Sequence, residues 1–136
     1  RKFNGYSCNI FCIEITKIVT MQLVFYRSFF VIMVILVYLL AITPSSGNTP
    51  QIPFLDKILH FFIFFVLTFI LDFCTRKPLK DHFYLISLLI FFGIFIEVSQ
   101  YFTATRSAEF LDWVADSLGV LVYLFLVPNI SIGLKR

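Results

Sequence analysis

Asp56 and His60 stand four residues apart, Glu97 and Gln100 three apart, and Asp112 and Asp116 four apart. On a helix each of these spacings puts both side chains on one face. An imidazole that titrates near neutrality can serve as base or nucleophile. A carboxyl group can serve as general acid or base. A guanidinium such as that of Arg106 grips phosphate or carboxylate with two bonds, and Lys57 can assist as a point charge. The set therefore reads as acid–base chemistry beside an anion site. His60, Glu97, Asp112 and Asp116 are the candidates for catalysis, and Lys57, Arg106, Gln100 and Asp56 the candidates for holding a substrate.

Each residue also has a plainer role open to it. Glu97 could pair with Arg106 or Lys57 and fasten helices. Gln100 suits a helix-to-helix hydrogen bond. Asp56 and Asp112 stand where helix N-caps are expected, whereas Asp116 lies a full turn further in, where nothing needs capping. Glu109 and His82 read as solvated loop residues, and Asp72 as a partner for Arg76 at i+4. Glu97, Asp112 and Asp116 could bind a hard divalent cation, but their spacing is no recognised metal motif, so no metal ligand is assigned and no cofactor is named. Gly-rich phosphate loops and Ser-centred nucleophile motifs are absent from the sequence.

These polar residues sit in a greasy chain. Of 136 residues 60% are hydrophobic and 14% charged, with nineteen Phe and a mean hydropathy of +0.93. A soluble domain carries about a quarter charged residues. The composition is that of an integral membrane protein, in which ionisable groups are costly and usually functional. The net charge of +3 is no nucleic-acid signal, because the basic residues lie in loops and tails. Cys8, Cys12 and Cys74 show neither a metal-type pairing nor a disulfide framework.

Four apolar runs approach the ~20 residues a spanning helix needs. They extend from about Leu23 to Ile42, Ile58 to Cys74, Tyr84 to Phe102 and Trp113 to Val127. Turn chemistry from Thr43 to Pro50, the Arg76-Lys77-Pro78 break and Pro128-Asn129 separate them. The runs are too long for barrel strands and do not alternate, so the expected fold is all-α, a four-helix membrane bundle. Residues 1–20 are mixed in character, and a native start at Met21 is expected, which leaves 21–136 as the domain. Nine of the eleven Lys and Arg fall on one side of this topology, which makes both termini cytoplasmic. Lys57 and Arg106 fall on the other side, and so does every member of the opening set.

Asp56-Lys57-Ile58-Leu59-His60-Phe61 resembles the D-K-x-x-H-F motif of the VanZ-like family. Glu97-Val98-Ser99-Gln100-Tyr101-Phe102 resembles its E-x-x-Q-x-F element. Arg106 with Asp112-Trp113-Val114-Ala115-Asp116-Ser117-Leu118-Gly119 resembles its R…D-x-x-A-N-x-x-G segment. The resemblance runs from about Met21 to Val127, in the family's order and spacing. Asp116 departs from it, standing where the family more often has Asn. The resemblance implies a small four-span membrane protein of a family named for a link to teicoplanin (glycopeptide) resistance.

Three functions compete. One is an enzyme at the outer leaflet of a bacterial cytoplasmic membrane, acting on an anionic, phosphate-bearing lipid or lipid-linked envelope precursor. A second is a structural or regulatory membrane protein whose polar residues are interhelical glue. A third, a proton-coupled carrier, is disfavoured by the apolar inner halves of the helices. Ala115 and Gly119 add a small-xxx-small packing step.

Overall fold

The computed structural model describes residues 5–43, 54–103 and 109–126. It contains four helices: α1 (Gly5–Ile42), α2 (Leu55–Phe73), α3 (Phe83–Tyr101) and α4 (Phe110–Leu126). A 3₁₀ turn over Leu79–Asp81 links α2 to α3. No strand occurs among the described residues, as the unbroken apolar runs require.

Hydropathy and helix boundaries differ where polar residues are good helix formers. α1 starts at Gly5, well before the apolar run at Leu23, because Glu14, Thr16 and Lys17 are polar without breaking a helix. Its 38 residues extend about 57 Å at ~1.5 Å per residue. α2 begins at Leu55 and α4 at Phe110, each three residues before its apolar run. Asp56 is consequently the second residue of α2. The N-cap is Phe54, whose φ of 67° lies in the left-handed region and whose side chain makes no cap. Asp112 is the third residue of α4, and its N–H donates to the Glu109 carbonyl at 2.9 Å. Neither aspartate is an N-cap, and both carboxylates are available elsewhere.

α1 and α3 contain segments long and apolar enough to cross a membrane, Thr16–Ile42 and Phe83–Tyr101. Phe62, Phe69, Phe91 and Phe125 project from the helices into the surroundings. That apolar exterior would be unusual in water, and it marks a membrane protein. Within lipid, apolar side chains gain little by meeting one another, so close packing and polar contacts hold the helices.

α2 and α4 form the most intimate pair. They run in the same direction, since His60 meets Asp116 near their N-termini and Asp72 meets Tyr123 near their C-termini. Gly119 sets their separation. A Cβ there would overlap the Phe61 carbonyl oxygen and come within 3.0 Å of the Phe65 nitrogen. Phe64, Leu67, Ile96 and Val120 fill the core, and α1 closes one side against α2 and α3.

The C-terminal end of α2 is pinned by polar contacts. Asp72 accepts the Leu79 N–H at 3.0 Å and the Tyr123 hydroxyl at 3.1 Å. Arg27 of α1 donates to the Cys74 carbonyl at 3.3 Å. The Cys74 thiol is buried and donates to the Ile70 carbonyl.

Candidate functional site

Asp56, His60, Phe64, Thr68 and Asp72 follow one another at intervals of four along α2. From His60 onward this row is buried. On α4 Asp112, Asp116 and Gly119 are buried together, and on α3 Gly93, Glu97 and Gln100 are. The three helices thus bring their polar faces together at the N-terminal ends of α2 and α4 and the C-terminal end of α3.

The centre of the cluster is a histidine–carboxylate pair. His60 Nδ1 lies 2.9 Å from Asp116 Oδ1, across the α2–α4 contact. Asp116 is fully buried and His60 is 8% exposed. An ionised carboxylate only accepts hydrogen bonds, so with Asp116 ionised the imidazole proton sits on Nδ1 and Nε2 carries the lone pair. The other Asp116 oxygen, Oδ2, makes no hydrogen bond and faces Gly93, where a Cβ would approach it to 2.8 Å. Gly93 on α3 therefore makes room for the carboxylate.

Around this pair the remaining residues fall into two arms. Lys57 reaches Glu109 at 2.6 Å and Asp112 Oδ1 at 3.1 Å. These carboxylates, Glu109 first and then Asp112, hold its ammonium above the ordinary lysine pKa. Glu109 is thus an ion-pair partner and not simply solvated. The contact with Asp112 is ionic in range, and Asp112 Oδ1 makes no hydrogen bond. Asp56 adds a third carboxylate: one ligand atom each of Asp56, His60 and Asp112 lies within 4.8 Å of the others.

Glu97 does not reach Lys57 for a salt bridge. Its Oε2 accepts the Glu109 N–H at 3.1 Å, tying α3 to the start of α4, while Oε1 is buried without a hydrogen bond. Gln100 turns the other way and donates from Nε2 to the Ala41 carbonyl of α1 at 3.1 Å. This is the helix-to-helix bond its position allows, and it takes that amide away from the cluster. Arg106 lies outside the described residues.

Sequence reasoning did not single out Gly93 or Tyr123, and it named Phe61 only as a motif residue. Gly93 precedes Glu97 by one turn, a visible hint of close approach on the same face. Phe61 takes part through its backbone carbonyl, which no residue type announces. Trp113 Nε1 and Ser117 Oγ are further buried polar atoms without a hydrogen bond.

As an assembly, the cluster offers an oriented imidazole, buried carboxylates and one ammonium. That is enough for proton transfer next to a charged group. The VanZ/LLP1 family model matches residues 7–131 of the chain. No curated protein and no solved structure matches it.

Proposed function

This chain belongs to the VanZ/LLP1 family, and from that premise we propose that it acts as a four-span envelope enzyme. Its substrate is a phosphate-bearing lipid or lipid-linked precursor at the outer leaflet of the bacterial cytoplasmic membrane, with both termini cytoplasmic. The observation that carries the reading is the buried His60–Asp116 pair at 2.9 Å. A carboxylate behind an imidazole fixes its tautomer and stabilises the positive charge it acquires. His60 Nε2 is then the base that takes a proton from the attacking hydroxyl or water, while Asp116 holds the ring. Glu97 is the neighbouring carboxyl suited to return a proton to the leaving oxygen. Lys57, and Arg106 from the sequence before α4, supply positive charge for the phosphate.

A link to glycopeptide resistance fits an activity on the cell envelope. The test is release or transfer of phosphate from a lipid phosphate by the purified full chain. Wild type turns over, and His60→Asn and Asp116→Asn lose activity while remaining folded. Equal turnover in wild type and both variants overturns the reading.

A second reading keeps the polar residues as fasteners. The Gln100–Ala41 and Tyr123–Asp72 bonds favour it, because each joins two helices and neither touches His60. In that case every polar substitution lowers the melting temperature and none has a separate effect on turnover. A proton-coupled carrier gains little support. Thr68 and Asp72 continue the α2 row inward, but Phe64, 1% exposed, stands between them and His60.

A further inference from the structure

Three carboxylates, those of Asp56, Asp112 and Asp116, gather around His60, and among the described residues Lys57 and His60 are the basic groups paired with them. With more carboxylates than ammonium groups among the described residues, such a site attracts a cation.

The geometry provides for that charge. Asp56, His60 and Asp112 each offer one ligand atom, all within 4.8 Å of one another. Donors bonded to a divalent ion at about 2.0–2.2 Å stand roughly 3–4 Å apart. Asp56 is exposed and His60 and Asp112 are buried, so the remaining adjustment falls first to Asp56. The imidazole is already arranged as metal-bound histidines are, with its second nitrogen against a carboxylate that sets tautomer and ring orientation. Here that carboxylate is Asp116, at 2.9 Å from Nδ1, which leaves Nε2 for the ion.

Independent of the three donors, buried oxygens next to them lack partners. Glu97 is 9% exposed and its Oε1 makes no hydrogen bond. Glu97 is fastened through its other oxygen to Glu109, whose carboxylate shares Lys57 with Asp112. A buried carboxylate oxygen without a donor is costly, and a cation beside it removes that cost.

We propose that Asp56, His60 and Asp112 bind one divalent first-row cation, with Asp116 as the positioning residue behind His60 and Glu97 as the adjacent carboxylate. One imidazole nitrogen with carboxylate oxygens suits Mn²⁺ or Zn²⁺ over softer ions. The site shares His60 with the phosphate chemistry proposed above: an ion on Nε2 would occupy the lone pair assigned there to the base, and would itself activate the attacking water in its place. Only the ion's role, carrying the phosphate into an acidic pocket, rests on that reading.

The test uses the full chain in detergent, stripped with a chelator and titrated with Mn²⁺ alone, free ion being followed by electron paramagnetic resonance. One saturable ion per chain is expected. His60→Ala and Asp112→Asn weaken binding at least ~10-fold, and Asp116→Asn weakens it ~10–100-fold, the range for partners behind a metal ligand. Pulsed spectra of the wild-type complex show coupling to an imidazole nitrogen, which keeps the test decisive where a variant fails to fold. Absence of saturable binding, or of nitrogen coupling in a bound ion, overturns the site. Ion binding without phosphate turnover leaves the site standing and removes the enzyme reading. Turnover that survives the chelator does the reverse.

Discussion

His60 and Asp116 meet at 2.9 Å although 56 residues separate them in the chain. The bond joins α2 to α4 one residue before Phe61 on one helix and three before Gly119 on the other. Chemistry and packing share this turn, and substitutions should separate the two.

Asp116→Asn keeps the volume and an oxygen able to accept from His60 Nδ1, but removes the charge that stabilises an imidazolium. Turnover of a lipid phosphate is expected to fall about 10²–10⁴-fold, the usual contribution of positioned acid–base groups. The melting temperature in detergent changes little by comparison. A kinetic assay alongside a thermal melt checks both.

Gly119→Ala drives a methyl group into the Phe61 carbonyl. The backbone cannot swing aside as a side chain would, so the helices must part. A loss of about 1–3 kcal/mol is expected, as for other overpacked sites. Unfolding in mixed detergent measures it, and an unchanged midpoint would argue against the close crossing.

Tyr123→Phe removes the hydroxyl that donates to Asp72 at 3.1 Å. The cost is about 0.5–1.5 kcal/mol, the net value of one hydrogen bond. Turnover should be untouched, because this bond lies near the far end of α2. Loss of activity with stability intact would mean that the two ends of α2 are coupled.

Gln100→Leu deletes the donor to the Ala41 carbonyl that ties α3 to α1. Interhelical bonds of this kind in membranes average about 0.6 kcal/mol and reach ~1.7. A shift within that range is expected in the same unfolding assay, with the affinity for Mn²⁺ unchanged.

A reporter fused after Arg136 should read as cytoplasmic. The basis is the placement of nine of the eleven basic residues on that side. An extracytoplasmic signal would invert the assignment of the His60 cluster to the outer leaflet.

Much of the site was legible in the sequence. The spacing of Asp56 with His60 and of Asp112 with Asp116 put each pair on one face, and both faces are turned to the cluster. The partners across helices were not legible, because period reports which face is shared and not which residue it meets. Glu97 illustrates the gap: its type allows an ion pair with Lys57 or Arg106 or an acid–base role, and neither reading points to the backbone N–H at Glu109 that occupies Oε2. Helix ends were missed for a different reason. Hydropathy tracks which residues suit lipid, whereas a helix continues as long as its backbone hydrogen bonds do, as α1 does from Gly5. Gln100 carries two readings in the sequence, a substrate contact and a donor between helices, and its bond to the Ala41 carbonyl is the second.

Gly119 carries no functional group, yet the reach of Asp116 toward His60 depends on the helix separation that Gly119 permits. A search for reactive side chains would pass over it, and a scan scored by activity would rank it beside the histidine. In a library of substitutions across 115–119, intolerance at 119 should follow side-chain volume and intolerance at 116 should follow charge. Two distinct selection profiles would then lie within a single helical turn.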